Sequence, residues 1–101
     1  MSNKMRAIHP GEILREELAE IDLSANKFAK KLKIPTNRIT SILNGQRSIT
    51  ADTALRLAHY FGTTAEFWMN LQTAYDLKIT MGKVSKQIAQ NIEYHKKAVE
   101  A

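Results

Sequence analysis

The chain has 101 residues and a mass of 11.4 kDa, enough for one domain with a real core and too little for two. It contains no cysteine, which excludes disulfide scaffolds, thiolate metal sites and cysteine nucleophiles. The net charge of +5 and the pI of about 9.6 favour an anionic partner. No apolar run approaches the roughly 18 residues of a membrane span, and Met1–Ala7 has no hydrophobic stretch behind its charges, so neither a membrane association nor a signal peptide is expected. The expected location is cytoplasmic.

The elements read as helix throughout, an all-α chain. A first helix starts near Pro10, whose missing N–H costs nothing at a helix start. His9 is placed to cap it, and Ile13, Leu14, Leu18 and Ile21 form its apolar stripe. Ser24 caps a second helix, with Ala25, Phe28, Ala29 and Leu32 at i, i+3, i+4 and i+7. A break at Lys33-Ile34 precedes Pro35, which suits the first turn of a third helix that buries Ile39, Ile42 and Leu43 and ends at Asn44-Gly45. Thr50 caps a fourth helix, with Ala54, Leu57, Ala58 and Phe61 inward and Gly62 as its stop. Thr63 and Glu66 read as the capping box of a fifth. Gly82 is expected to break the chain after Met81. Beyond it Val84, Ile88, Ile92, His95 and Val99 form a narrow apolar stripe on a separate tail helix. Such a helix is marginal alone and must dock on its own domain, on a second copy or on another protein. No segment alternates with period two, so no strand is expected. The chain thus divides into an arm (1–8), a five-helix domain (9–79) and a C-terminal helical extension (80–101).

Charge is distributed unevenly along this frame. From Leu23 to Ala51 there is no Asp or Glu, while Lys27, Lys30, Lys31, Lys33, Arg38 and Arg47 all fall there. The second and third helices, joined by a few residues and carrying the small Ala29 at mid-length, have the pattern of a helix-turn-helix. Ile34 and Ile39 fill the angle between them. The outward face of the third helix carries Asn37, Thr40, Ser41 and Asn44 at i, i+3, i+4 and i+7, flanked by Thr36 and Arg38. Thr, Ser and Asn are poor helix formers, because their side chains compete for backbone hydrogen bonds. Four of them on one exposed face cost helix stability, and base edges in a major groove account for them. Asn37, Arg38, Thr40 and Ser41, with Thr36 at the helix start, are the candidate base readers. Ser24, Asn44, Gln46 and Arg47 are the candidate phosphate contacts, at helix ends and in the following loop.

These residues resemble a known family. The order of helices looks like the lambda-repressor-like (Cro/C1-type) helix-turn-helix domain, and within it the HigA antitoxins of HigB–HigA toxin–antitoxin modules, also known as virulence-associated protein I. The resemblance is carried by His9-Pro10-Gly11-Glu12-Ile13-Leu14, by Pro35 to Ile39 with Asn44-Gly45, and by Ile49-Thr50-Ala51-Asp52-Thr53-Ala54-Leu55-Arg56-Leu57-Ala58. Its most specific part is Phe67-Trp68-Met69-Asn70-Leu71-Gln72-Thr73-Ala74-Tyr75-Asp76-Leu77. It implies an antitoxin that neutralises a ribosome-associated, HigB-like mRNA endoribonuclease and represses its own operon as a dimer on double-stranded operator DNA. Lys33 departs from the family, which usually has glycine at that break. Either the backbone there is left-handed at some strain for lysine, or the turn takes another shape.

The alternatives are a free-standing helix-turn-helix regulator with no toxin, and a protein-interaction module with little DNA affinity. An enzyme is not expected. His9, His59 and His95 lack metal-ligand spacing, no serine has a triad setting, and four glycines form no phosphate loop. No cofactor or metal is implied. Two faces of the fifth helix are apolar: Phe67, Leu71, Ala74 and Lys78 on one, Trp68, Leu71, Tyr75 and Ile79 on the other. One face serves the core, and a homodimer through Trp68, Tyr75 and Ile79 uses the second. The acidic first helix, with Glu12, Glu16, Glu17 and Glu20, is the candidate surface for a basic ribonuclease toxin.

Overall fold

The computed structural model describes residues 6–95. They form helices α1 (Pro10–Glu20), α2 (Ala25–Leu32), α3 (Thr36–Leu43), α4 (Ala51–Phe61) and α5 (Ala65–Asn91), with no strand among the described residues. Local signals account for most boundaries. His9 caps α1 reciprocally: its Nδ1 accepts from the Gly11 N–H at 2.9 Å while the Glu12 carboxylate accepts from the His9 N–H. The Ser24 and Thr50 hydroxyls accept from the backbone N–H three residues on. Pro35 sits at the N-cap of α3, one residue before its first turn. Lys33 is left-handed, with φ 63° and ψ 42°, so the turn keeps the usual shape and lysine bears the strain.

The core is a single cluster. Leu14 and Leu18 of α1, Phe28, Ala29 and Leu32 of α2, Ile34 of the turn, Ile39 and Ile42 of α3, Ile49, Ala54 and Leu57, and Trp68 of α5 are all buried together. Leu43, Ala58 and Phe61 are only half-buried at its margin. α3 lies against α1 and α2, and α4 against α5, so the recognition segment rests on the core on one side and faces outward on the other.

The start and the length of α5 differ from expectation. Its N-cap is Thr64, whose hydroxyl accepts from the Phe67 N–H. Thr63 is diverted, because its hydroxyl accepts from the Trp68 indole N–H at 3.0 Å. With the cap one residue later, Glu66 no longer stands at the third helical position and no reciprocal box forms. At the other end, Gly82 does not break the helix, which runs 27 residues through it. A glycine inside a helix costs only about 0.5–1 kcal/mol relative to alanine, too little to stop a helix with good formers on both sides. Val84 and Ile88 therefore belong to α5 rather than to a separate tail. Ile88, Ile92 and Tyr94 are exposed, so this end does not dock on its own domain. The expected tail residue Val99 and residues 1–5 of the arm lie outside the described residues.

Candidate nucleic-acid interface

The crossing of α2 and α3 is built as the spacing requires. Ala29 and Ile39 are fully buried and Ile34 nearly so. Asn37 and Asn44 are exposed on the outward face of α3, with Thr36, Arg38, Thr40 and Ser41 half-exposed beside them. Gln46 and Arg47 are exposed on the loop that follows. Ser24 sits apart at the start of α2, with its hydroxyl occupied by the cap. The nine residues thus lie on α3, its following loop and the start of α2.

Several are held by residues that pattern reading missed. The Thr36 hydroxyl donates to Asn26 Oδ1 at 2.9 Å, tying the start of α3 to α2. The Thr40 hydroxyl donates to the Asn37 carbonyl. Arg15 of α1 donates to the Leu43 carbonyl at 3.1 Å and to Asn44 Oδ1 at 3.2 Å, so the Asn44 amide keeps its N–H groups for another acceptor. Arg38 donates to Asp52 Oδ2 at 2.7 Å, and Arg56 donates to the same oxygen at 3.0 Å and to the Leu32 carbonyl at 2.6 Å. The sequence signals for this cluster are the place of Asp52 directly after the acid-free window and its i,i+4 spacing to Arg56; the link to Arg38 has none.

The support behind α3 is tighter than its apolar spacing implied. A Cβ on Gly11 would lie 1.9 Å from the Ile42 carbonyl oxygen, so the start of α1 touches the α3 backbone directly. His9, beside it, packs edge-on against Tyr75 with ring centroids 4.9 Å apart. Burial pushes its imidazole below the ordinary histidine range, against the opposing pull of the Arg47 backbone, Asp76 and Glu12. A neutral ring keeps Nδ1 as the acceptor that the α1 cap needs. Gln72 is buried, accepting from the Ile49 N–H at 2.7 Å and donating to Asp76 Oδ1 at 2.9 Å. α1 and α5 therefore both grip the loop that carries Gln46 and Arg47.

The other candidate surfaces are sorted differently. Glu16, Glu17 and Glu20 are exposed on α1. Glu12 is engaged in the cap and in a two-pronged pair with Arg6 at 2.7 and 2.8 Å, which lowers its carboxyl to about 2. Trp68 is 1% exposed in the core of its own chain, so it is no anchor of a subunit contact. Tyr75 is half-buried on His9, and Ile79 is exposed at the edge of the same face. The face expected to meet a partner is thus the one turned to the core. The outward apolar stripe is Phe67, Ala74, Leu77, Met81 and Ile88, all exposed, and it runs unbroken across Gly82. Among the described residues no group of His, Asp or Glu could hold a metal ion, and no helix is long and apolar enough to cross a membrane.

The chain is similar to known proteins in sequence and fold. The helix-turn-helix family HTH_3 matches residues 14–68. Virulence-associated protein I of Dichelobacter nodosus is 60% identical over 78 residues, covering 76% of this chain and 72% of that protein. The structure of an addiction module antidote protein of the HigA family from Coxiella burnetii superposes with a TM-score of 0.87 at 63% identity, over 90% of this chain and all of that one. That of the Pseudomonas aeruginosa antitoxin HigA with the higBA promoter gives 0.84 at 48% identity, over 87% of this chain and 97% of the other.

Proposed function

Because this chain belongs to the HigA antitoxins of the helix-turn-helix family, we propose that it binds operator DNA through α3, represses its own operon, and neutralises a partner ribonuclease toxin. The observation that carries this reading is the outward face of α3, polar and singly charged, on a helix seated on α1 at backbone contact. The HigA of Pseudomonas aeruginosa, alike over nearly its whole length, is described with promoter DNA. Asn37, Arg38, Thr40 and Ser41 read bases in the major groove, with Thr36 at the helix start. Ser24, Asn44, Gln46 and Arg47 meet phosphates and set the register. No catalytic role is assigned to any residue.

Two α3 helices about 34 Å apart are needed to enter successive major grooves, which calls for a dimer. The outward stripe of α5 suits it. Phe67, Ala74, Met81 and Ile88 recur every seven residues, with Leu77 between them, the repeat by which two helices pack along one seam. Ile79 lies on the other face of α5, with Trp68 and Tyr75, and takes no part in this seam.

Arg38→Ala should cost about 1–3 kcal/mol of operator affinity and relax preference at one base pair. Arg47→Ala should weaken all duplexes alike and lower the salt slope by about one. Titration of both variants on operator and single-substituted duplexes decides the matter. A change of base preference on losing Arg47, with none on losing Arg38, would reverse the assignment.

The toxin surface is assigned to Glu16, Glu17 and Glu20, with Glu12 a lesser contributor because Arg6 already faces it. A ribonuclease attracts phosphate, so its active face is positive, and an acidic helix complements it. Such complementarity acts mainly on association rate. Replacing the three exposed glutamates by glutamine should slow association with a HigB-type toxin, most at low salt, where charges are felt furthest. If that variant keeps wild-type rates while a chain with Ile92→Asp and Tyr94→Asp, still a dimer, fails to bind, the toxin contact lies at the end of α5 instead.

A further inference from the structure

α3 carries one charge, Arg38, and that charge is not free. Its guanidinium shares the Asp52 carboxylate with Arg56, and Arg56 in turn holds the Leu32 carbonyl at the end of α2. The chain of contacts therefore runs from α2 through α4 to α3. Arg38, Arg47 and Arg56 line one groove at the edge of α3, and Asp52 is the one carboxylate in that lining. The two arginines, Arg56 first, hold the Asp52 carboxyl below the usual carboxylate range, so it is ionised at neutral pH. An anion on a face that meets phosphates opposes DNA binding in general. The first turn of α4 and the i,i+4 pair with Arg56 suit an acid there, but neither requires its reach across to Arg38.

We propose that Asp52 is a specificity-determining positioning residue, which fixes the direction of Arg38 and cancels part of its charge. The inference rests on the DNA-binding reading above and deepens it. A loose arginine, with several rotatable bonds and five donors, finds the nearest phosphate on any duplex. Held by Asp52, Arg38 keeps its remaining N–H groups pointed one way, where a base edge with matched acceptors is rewarded and other bases are not. Asp52 touches no base itself. It trades general affinity for discrimination.

Selection from a randomised duplex pool first identifies the site preferred by the wild-type chain. The wild type, Asp52→Asn, Asp52→Glu, Arg38→Ala and the Arg38→Ala, Asp52→Asn double variant are then titrated on that site, its single-base-pair variants and a scrambled duplex, at several salt concentrations. Thermal melts identify any variant that does not fold. Asp52→Asn should bind the scrambled duplex more tightly, with a salt slope steeper by about one. Its discrimination at one base pair should fall about fivefold or more, the smallest ratio that a two-pronged base contact supplies. Asp52→Glu, which restores the charge, should recover most of that discrimination. In the Arg38→Ala background, removing the Asp52 charge should leave base preference unchanged. A folded Asp52→Asn chain that keeps or sharpens its discrimination overturns the inference alone, as does a loss of preference that persists without Arg38. A wild-type chain that enriches no site overturns the DNA-binding reading together with it.

Discussion

Trp68→Ala should lower the unfolding free energy by about 3–5 kcal/mol, as truncation of a fully buried tryptophan does. The ring lies against Phe61, with centroids 6.0 Å apart, and meets Phe67 edge-on at 5.2 Å. Its N–H donates to the Thr63 hydroxyl, which sits just before the α5 cap. Truncation therefore opens a cavity between α4 and α5 and leaves Thr63 without its donor. Small domains hold about 5–15 kcal/mol in all, so much of the stability goes with this one side chain. Urea denaturation at fixed protein concentration measures the loss, and light scattering of the folded fraction reports assembly. The surviving folded fraction should keep the wild-type mass, because the indole faces its own core. A variant with the wild-type midpoint and half the wild-type mass would return Trp68 to a subunit contact.

Gly11→Ala is the second large effect. The added methyl would meet Ile42 backbone atoms at 1.9 and 2.8 Å, and a carbonyl inside a helix cannot turn aside as a flexible side chain does. The start of α1 must part from α3, at a cost of about 1–3 kcal/mol or more. The displaced element is the recognition helix, so operator affinity should fall by more than the unfolded fraction explains. Gly62→Ala is the control. Unlike Gly11 it has positive φ, 73°, but nothing lies within 4 Å of the new methyl, and it is away from α3. It should cost stability through backbone strain alone and leave the affinity of the folded protein unchanged. Equal losses of affinity in the two variants would mean that the contact of Gly11 with Ile42 does not position α3.

Features that depend on a few neighbouring residues were readable from the amino-acid order. His9, Ser24 and Thr50 cap their helices because a side-chain acceptor one turn from free N–H groups needs no distant partner. Ile39 and Ile42 face inward and Asn37 and Asn44 outward because helical spacing assigns the faces. The helix-turn-helix and its polar face follow from those two kinds of signal. Features that depend on competition between distant groups were decided only by the tertiary structure. Thr63 loses the α5 cap to Thr64 because the Trp68 indole takes its hydroxyl. Of the two apolar faces of α5, the one bearing Trp68 is buried because α4 packs there, which leaves Phe67 and Leu77 outside. Gln72 is buried where a polar residue is least expected, since the Ile49 N–H meets it from 23 residues away. Along the chain Arg38 stands in a window without acids. Asp52 reaches it across the gap between α3 and α4, and that distance in space, unlike spacing along a helix, is set by the packed core.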